Sequence, residues 1–420
     1  MAALALCVPA LPARAVEPGF VSLFDGNTLH GWQLVNKAGE GYLVEDGTIV
    51  CPADGGGALY TDREYGDFVL RFEFRLDKAG NNGVGIRTPL GGDAAYQGME
   101  IQILDDDDPM YANLLPGQYC GSVYRVAAAR RGSLKKPGEW NTEEIRAVGR
   151  RIQVRINGKL VTDADLNAVH DPETLAEHPG ILRDRGYVAF MGHGPSAVAF
   201  RNIRIRDMDK PEKDNVPPPG FKALFDGRDL RGWKGLVGDP PSRAKMSPAE
   251  LASAERQATE EALRHWKVVD GVITYDGKNN SLCTARDYDD FELLVDWKIG
   301  PGGDSGIYLR GCPQVQIWDR AEGSGGLYNN QKNPSNPTAN ADRPPGEWNR
   351  FRILMVGDKV SVYLNSQLVV HNVTMENYWE RDKPMYPTGQ IELQHHGAPL
   401  YFKSIYIREI PRQHTQAVAR

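Results

Sequence analysis

Apolar and polar residues alternate with a period of two along many short stretches of the chain. In residues 68–75 every second residue is Phe or Leu, and the residues between them are Val, Arg, Glu and Arg. Residues 152–156 alternate in the same way before Asn157-Gly158, a pair typical of a tight hairpin turn. Residues 360–364 repeat this pattern before Asn365-Ser366. We therefore predict an all-β protein in which antiparallel sheets pack face to face.

The chain contains one series of motifs twice, in the same order. The opening segment at residues 20–32, with Leu-Phe-Asp-Gly and Gly-Trp, returns at residues 221–233. Four further pairs follow, at 44–49 and 268–273, 65–74 and 288–297, 138–141 and 346–349, and 200–205 and 402–407. Matches in this number and order indicate an internal repeat. We predict two tandem β-sandwich domains, the first at 20–207 and the second at 221–412.

Two segments depart from the strand pattern. Residues 208–220 combine charged residues with three consecutive prolines, which disfavours both helix and strand, and we predict a linker there. Residues 247–265 begin with Ser-Pro-Ala-Glu, a capping-box signature, and continue as a run rich in Ala, Glu and Arg. We predict a helix at 247–265, inserted into the second copy alone.

The N-terminal residues predict export. Residues 1–15 contain a short apolar stretch followed by Ala13-Arg14-Ala15, the small-x-small form of a signal-peptide cleavage site. We therefore expect a periplasmic or secreted protein. No later segment approaches the roughly 20 apolar residues that a membrane-spanning helix needs. The cysteines at positions 51, 120, 283 and 312 lack metal-site spacing, and they fit either disulfides or buried thiols.

Charge and missing motifs exclude several classes of function. A net charge of −6 provides no basic surface for nucleic acid. The chain has no Gly-x-Gly-x-x-Gly loop after a strand, no Walker loop, no Gly-x-Ser-x-Gly elbow and no His-Glu-x-x-His. Chemistry based on nicotinamide, ATP or a serine nucleophile is therefore disfavoured, and no oligomeric state is indicated.

The repeated motifs resemble those of the 3-keto-disaccharide hydrolase family. The resemblance rests on the opening motif and Gly-Glu-Trp-Asn in both copies, on the strands at 305–310 and 314–319, and on Gln394-His-His-Gly397. It covers nearly the whole chain after the signal segment, twice. It implies two tandem concanavalin A-like jelly-roll β-sandwiches. It also implies an exported bacterial protein that cleaves glycosides oxidised to a ketone at sugar carbon 3, as a lyase or a hydrolase.

A ketone at carbon 3 defines the groups that such a site needs. The ketone acidifies the proton on carbon 2, so a base can remove it to form an enediolate, and the aglycone on carbon 1 then leaves. The protein must supply the base, groups that stabilise the oxyanion and an acid for the departing oxygen. Addition of water to the unsaturated sugar makes the overall reaction a hydrolysis.

Four residues of the first copy are candidates for this chemistry. By alternation, Glu100 and Gln102 share one face of the strand at residues 100–105. The resemblance places Arg87 on a neighbouring strand and His193 on a later one. We assign His193 or Glu100 as the base, Arg87 as the oxyanion partner and Gln102 to substrate binding. No cofactor is indicated, and a divalent metal near Glu100 and His193 stays open.

The second copy has equivalent candidates with several changes. It aligns Arg310 with Arg87, Gln314 with Glu100, Gln316 with Gln102 and His396 with His193, while Tyr308 replaces Gly85 and Gln394 replaces Met191. The expected catalytic residues are His396 and Arg310, and the expected substrate-binding residues are Tyr308, Gln314, Gln316 and Gln394. Gln314 cannot accept a proton as the Glu100 carboxylate does, whereas the first copy lacks an equivalent of Gln394. Each copy departs from the family pattern, so either half could be the active one.

Two other interpretations fit the same residues. Polar residues on one face of a sandwich strand are commonly a solvated face. The chain would then be a non-catalytic carbohydrate-binding protein, or an interaction module of a larger assembly. Glu100 discriminates between an enzyme and a lectin, because an enzyme that uses this carboxylate should fail as Glu100→Gln.

Overall fold

The computed structural model describes residues 17–194 and 196–411. The predicted signal segment at 1–15 lies outside these residues. The described residues form two compact units. The first comprises the chain up to Leu166 together with Gly180–Asp209, and the second comprises Asn167–Pro179 together with the chain from Lys210 on.

The first unit consists of two antiparallel sheets. Its strands are β1 (Val21–Ser22), β2 (Trp32–Ala38), β3 (Leu43–Glu45), β4 (Thr48–Cys51), β5 (Gly56–Tyr65), β6 (Phe68–Leu76), β7 (Asn81–Thr88), β8 (Met99–Leu104), β9 (Trp140–Val148), β10 (Arg151–Ile156), β11 (Lys159–Asp165), β12 (Gly186–Gly192) and β13 (Val198–Asp207). The large sheet has the order β11-β10-β9-β6-β13-β4-β3, with β1 paired to β13. The small sheet has the order β2-β5-β12-β7-β8.

The second unit repeats this arrangement. Its strands are β14 (Lys222–Ala223), β15 (Trp233–Gly235), β16 (Trp266–Val269), β17 (Val272–Tyr275), β18 (Leu282–Thr284), β19 (Phe291–Ile299), β20 (Asp304–Leu309), β21 (Cys312–Trp318), β22 (Asn349–Val356), β23 (Lys359–Leu364), β24 (Gln367–Thr374), β25 (Glu392–Leu393) and β26 (Leu400–Glu409). The large sheet has the order β16-β17-β26-β19-β22-β23-β24, with β14 paired to β26, and the small sheet has the order β15-β18-β25-β20-β21. Each strand therefore has a counterpart in the other unit.

Aromatic side chains hold the two sheets of the first unit together. The ring of Phe190, on β12 of the small sheet, is fully buried and lies 4.0 Å from that of Phe200, on β13 of the large sheet. The ring of Phe72, on β6, lies 6.0 Å from the ring of Phe190. In the second unit Trp297 of β19 and Leu393 of β25 belong to one buried cluster. The prediction of two tandem all-β jelly-roll sandwiches is confirmed.

A long helix is inserted into the second unit. The helices are α1 (Pro172–Glu177), α2 (Pro240–Arg243) and α3 (Pro248–His265), and short 3-10 helices lie at Pro109–Tyr111, Pro116–Gln118, Leu166–Ala168 and Pro179–Leu182. Ser247 caps α3 by accepting a hydrogen bond from the backbone N–H of Glu250. Ala262 of α3 is buried in the core, and Thr259 accepts a hydrogen bond from the Gly235 N–H of β15. The helix thereby covers the edge strand of the small sheet.

The segment Asn167–Pro179, which includes α1, packs with the second unit although the repeat places it in the first. The Tyr363 hydroxyl donates a hydrogen bond to the Pro179 carbonyl at 2.8 Å. Arg408 donates to the Asn167 carbonyl at 3.1 Å. The sequence analysis predicted one continuous domain at 20–207, because no residue pattern indicates that a segment within it packs with the second unit.

A buried arginine lies at a β-bulge in the small sheet of each unit. Arg87 and Arg310 have positive φ angles of 51° and 53°, and the strand register shifts beside each of them. Arg87 is 1% exposed, and its guanidinium donates to the carbonyl oxygens of Gly66 at 3.0 Å and Gly149 at 2.8 Å. The Asp67 carboxylate accepts a further bond from it at 3.2 Å.

Arg310 makes the equivalent contacts in the second unit. Its guanidinium donates to the carbonyl oxygens of Asp289 at 2.7 Å and Gly357 at 2.6 Å, and it pairs with the Asp290 carboxylate. Both guanidinium groups are thus directed to backbone carbonyls inside the fold and away from the outer side of the sheet, and the oxyanion and catalytic roles expected of Arg87 and Arg310 stay untested predictions. A regular two-residue alternation would place both side chains beside Glu100 or Gln314, but the bulge directs them to backbone carbonyls within the fold.

Glu143 of β9 is a buried carboxyl group in the core of the first unit. Neither of its oxygens has a hydrogen-bond partner among the described residues, and burial raises its pKa well above the ordinary value. Phe351 occupies the equivalent position of the second unit and is fully buried. The first core therefore accommodates a neutral acid where the second has an aromatic ring.

We expect Glu143 to make the stability of the first unit fall as pH rises. Above its ordinary pKa the carboxyl ionises in the unfolded chain but stays protonated in the folded one, which costs up to about 1.4 kcal/mol per pH unit. Glu143→Gln removes this cost, so its advantage over the natural chain should grow as pH rises above the ordinary pKa of a glutamate. Urea unfolding at several pH values measures it, and equal pH slopes for the two proteins would contradict the assignment.

Candidate functional site

The outer side of each small sheet carries polar side chains, and we call these surfaces the first and second polar faces. On the first polar face, Glu100 of β8 is registered with Gly85 of β7, and Gln102 is registered with Gly83. Ile101 and Ile103, which alternate with them on β8, are fully buried on the core side. The alternation predicted for this strand therefore matches the structure.

Glu100 and His193 form a hydrogen-bonded pair on the first polar face. The Nε2 atom of His193 lies 2.9 Å from Oε1 of Glu100. Glu100 is 3% exposed, whereas the His193 side chain is 43% exposed. Gly83 permits this contact, because a Cβ atom there would lie 1.7 Å from Oε1 of Glu100. The carboxylate can thus reach across β7 to the end of β12.

The pair also determines the protonation state of the histidine. The hydrogen bond to Glu100 raises the pKa of His193, and it outweighs the opposing effect of burial. A carboxylate only accepts hydrogen bonds, so Nε2 of the neutral ring carries the proton and Nδ1 keeps its lone pair. The geometry therefore suits a histidine base whose imidazolium form the carboxylate stabilises.

Gln102 is oriented by two asparagines that sequence analysis did not identify. Its Nε2 atom donates to Oδ1 of Asn81 at 2.8 Å and to the Asn82 carbonyl at 3.4 Å. The Asn82 amide in turn donates to the Tyr42 hydroxyl at 3.3 Å. Asn81 and Asn82 are the first two residues of β7. The sequence feature that could have identified them is the pair of polar residues directly before Gly83.

A tyrosine borders Glu100 in the first unit, and its counterpart borders Gln314 in the second. The Tyr124 N–H donates to the Glu100 carbonyl at 2.9 Å, and the Tyr328 N–H donates to the Gln314 carbonyl at 3.1 Å. Residues opposite each other in antiparallel pairs share a face, so both tyrosines border the polar faces. The signal was present in the sequence, because Gly121-Ser-Val-Tyr124 is repeated at 325–328 as Gly-Gly-Leu-Tyr.

The second polar face carries a chain of hydrogen-bonded amides. The Nε2 atom of Gln314 donates to the side-chain oxygens of Gln316 at 2.7 Å and Gln394 at 3.2 Å. Gln394 donates to the Tyr308 hydroxyl at 3.5 Å, and Gln316 donates to Asp304 at 2.8 Å. The Oε1 atom of Gln314 is buried and has no hydrogen-bond partner among the described residues. All four residues expected to bind substrate in this copy therefore lie together.

The carboxylates of the second polar face occupy different positions from Glu100. Asp304 takes the position of Asn81, and its Oδ2 atom lies 3.7 Å from Nδ1 of His396. Glu392 takes the position of Ala189 and is 5% exposed. The sequence analysis missed both, although Glu392 and Gln394 alternate with two apolar residues and so share a face.

Burial raises the pKa of Glu392 to about 7, while a hydrogen bond from Ser281 and the charge of Arg243 lower it. Ser281 also lies 2.9 Å from Nδ1 of His395. Burial, followed by the charge of His396, lowers the pKa of His395. The second polar face thus holds a carboxyl group that exchanges its proton near neutral pH.

Three further expectations concern metals, cysteines and membranes. Within residues 17–194 and 196–411, no group of three or more His, Cys, Asp and Glu side chains is arranged to bind a metal ion. Cys51, Cys120, Cys283 and Cys312 are buried free thiols. In the part of the chain that the structure describes, no helix combines the length and apolar character needed to cross a membrane.

Proteins similar to this chain occur in Bacteroides thetaiotaomicron and Parabacteroides distasonis. A 3-keto-disaccharide hydrolase of Bacteroides thetaiotaomicron is 26% identical over 225 residues, which are 44% of this chain and 66%, just under two thirds, of that relative. Among solved structures, the crystal structure of a predicted glycosyl hydrolase from Parabacteroides distasonis is 30% identical in sequence. The match covers 45% of this chain and 99% of that protein, with a TM-score of 0.40. A second from that organism is 26% identical and covers 48% and 94%, with a TM-score of 0.36.

A family model provides the assignment. The model of the 3-keto-alpha-glucoside-1,2-lyase-like domain matches residues 19–206 and again residues 220–408. The two matches correspond to the two sandwiches and together span most of the sequence. The chain therefore belongs to the 3-keto-alpha-glucoside-1,2-lyase-like domain family, of which it carries two tandem copies.

Proposed function

We propose that the protein cleaves 3-keto-glycosides by removing the proton on sugar carbon 2 and eliminating the aglycone from carbon 1. The observation that carries this proposal is the Glu100–His193 pair, with its 2.9 Å hydrogen bond, on the outer face of a sandwich from this family. The similarity to a 3-keto-disaccharide hydrolase supports the substrate class. Addition of water to the unsaturated product completes a hydrolysis.

The geometry favours His193 over Glu100 as the base. His193 is the exposed member of the pair, whereas the Glu100 carboxylate is almost fully covered. His193 would accept the carbon 2 proton at Nδ1, and Glu100 would stabilise the imidazolium that forms. Gln102 and the Tyr124 hydroxyl would hydrogen-bond to the sugar, and we assign Tyr124 as the acid that would protonate the departing oxygen.

A second candidate function is carbohydrate binding without catalysis. The amide chain of the second polar face favours it, because amides donate to and accept from sugar hydroxyl groups without exchanging protons. The unpaired Oε1 atom of Gln314 offers an acceptor for a ligand hydroxyl. A division of labour, with a catalytic first face and a binding second face, would reconcile both candidates.

We expect cleavage to depend on the first polar face. Full-length protein should release aglycone from 3-keto-trehalose or a 3-keto-β-glucoside and leave the unoxidised sugars intact. His193→Ala should lower the rate by about 10²–10⁴-fold, because the base is lost. Glu100→Gln should lower it as well, because the imidazolium loses its partner. Mass spectrometry of the products, with and without a chelator, measures both effects and tests for a metal requirement.

His30→Ala is the matched control, because His30 is an exposed histidine in the loop before β2 of the same unit. His396→Ala tests whether the second face contributes to cleavage. Failure to cleave any 3-keto-glycoside, with sugar binding retained, would exclude the enzymatic proposal and leave the carbohydrate-binding one. Cleavage that survives His193→Ala would move the active site away from the first face.

The pair should also be visible in the titration of His193. Because Glu100 raises the pKa of His193, Glu100→Gln should bring that pKa down towards or below the ordinary value. If His193 is the base, activity rises with pH as the ring loses its proton, so the rise should begin at lower pH in the variant. NMR titration of the imidazole Cε1–H signal measures the pKa without an activity assay. An unchanged midpoint would show that the pair does not form in solution.

We also propose that the protein is exported to the periplasm or the medium. The support is the signal-like segment at residues 1–15. When expressed with this segment in a Gram-negative host, the protein should appear outside the cytoplasm with a mass reduced by roughly 15 residues. A chain that starts at residue 17 should remain in the cytoplasm. Recovery of the full-length mass from the cytoplasm alone would contradict export.

A further inference from the structure

A tyrosine and a glutamic acid, each of which can donate an O–H hydrogen bond when protonated, lie side by side on the second polar face. Glu392 of β25 is registered directly with Tyr308 of β20. Side chains so paired have Cβ atoms about 4.5–5.5 Å apart and point to the same side of the sheet. The Tyr308 hydroxyl accepts a long hydrogen bond from Gln394, at 3.5 Å, which leaves its own proton available for donation.

Both groups are in a state that favours their protonated forms. Burial raises the pKa of Tyr308, and the nearby Glu392 carboxyl raises it further. Burial likewise raises the pKa of Glu392 to about 7, so the carboxyl is an O–H donor in about half of the molecules at neutral pH and in most of them below it.

The charged groups around Glu392 come from several elements. Arg243 of α2 and Cys283 of β18 interact with it electrostatically, and Lys234 of β15 and Glu255 of α3 act on Cys283 in turn. Lys234 and Glu255 form an ion pair with each other. Burial raises the pKa of Cys283, so this thiol stays neutral and does not compete for the proton.

We propose that Tyr308 and Glu392 form an oxyanion-binding pair that holds the ketone or enediolate oxygen of a 3-keto sugar on the second polar face. A tyrosine beside a protonated carboxylic acid is an established arrangement for binding such an oxygen. The buried Oε1 atom of Gln314 accepts a hydrogen bond from the hydroxyl next to the ketone. This assignment rests on the proposed substrate class and extends it to a second site.

The first polar face cannot form the same pair. Its equivalent positions are Gly85 and Ala189, which have no polar side chain. The helices α2 and α3 also belong to the second unit alone, and the charge of Arg243 on α2 acts on the buried carboxyl. The two faces therefore differ in kind. The first holds an imidazole–carboxylate pair, and the second holds an oxygen-binding pair of neutral acids.

Binding of an uncleavable keto sugar tests the pair. The probe is 1,5-anhydro-3-keto-D-glucitol, which has the ketone but no leaving group on carbon 1, and 1,5-anhydro-D-glucitol is its reduced control. Calorimetry on the full-length protein should show preference for the ketone. Its affinity should fall as pH rises through about 7, because Glu392 loses its proton.

Two conservative variants distinguish the contributions of the pair. Glu392→Gln keeps a neutral donor at every pH, so it should bind the probe with little dependence on pH. Tyr308→Phe should lower affinity about tenfold at every pH, because one hydrogen bond is lost. Circular dichroism confirms that each variant folds, and the pH dependence of the natural protein provides a test that needs no variant.

The inference is overturned if the natural protein binds the probe with no change near pH 7, or if Tyr308→Phe binds as tightly as the natural protein. Probe bound at the first face would persist in both variants, and any pH step that arises from His193 would remain in Glu392→Gln. Failure of the proposed function would appear differently, as an absence of cleavage by a protein whose probe binding keeps its dependence on Glu392 and Tyr308.

Discussion

The placement of side chains on both polar faces depends on one interaction, the arginine that ties a β-bulge to the fold. Arg87 and Arg310 each bind two backbone carbonyl groups and a carboxylate, and the strand register changes beside them. A register slip of one residue would exchange the core and outer sides of the strand. The bulge thus sets which residues of β12 and β25 oppose β7 and β20. In the resulting register His193 meets Glu100, and Glu392 stands opposite Tyr308.

The two copies keep this framework and differ in where they place acidic groups. The first copy has its carboxylate on β8, next to the histidine that follows β12. In the second copy an amide, Gln314, replaces that carboxylate, while Asp304 and Glu392 introduce acids on the two neighbouring strands. Equivalent positions of the two small sheets therefore carry side chains of different chemistry. Gln314 stands where the first copy has Glu100, and the acids at Asp304 and Glu392 make the second polar face chemically different from the first.

Local patterns in the sequence were sufficient for the fold and for half of the site. Two-residue alternation and the internal repeat predicted the sandwiches, and the capping box at Ser247 predicted α3, because these features act over a few residues. Alternation also placed Glu100 and Gln102 on one face. It failed at Arg87 and Arg310, because a bulge is set by contacts with distant turns. It also could not show that Asn167–Pro179 would pack with the other unit, since that contact is formed by residues far away in the sequence.

The glycine beneath α3 constrains the sequence of the second copy. Gly235 occupies the position held by Leu34 in the first copy, and a Cβ atom there would lie 2.1 Å from the Ala258 carbonyl oxygen of the helix. A leucine at this position would exclude the helix backbone. The helix can therefore occupy this place only in a copy whose residue here has no side chain. In related chains with tandem copies, a large residue at this position should mark a second copy in which the edge of this sheet is open.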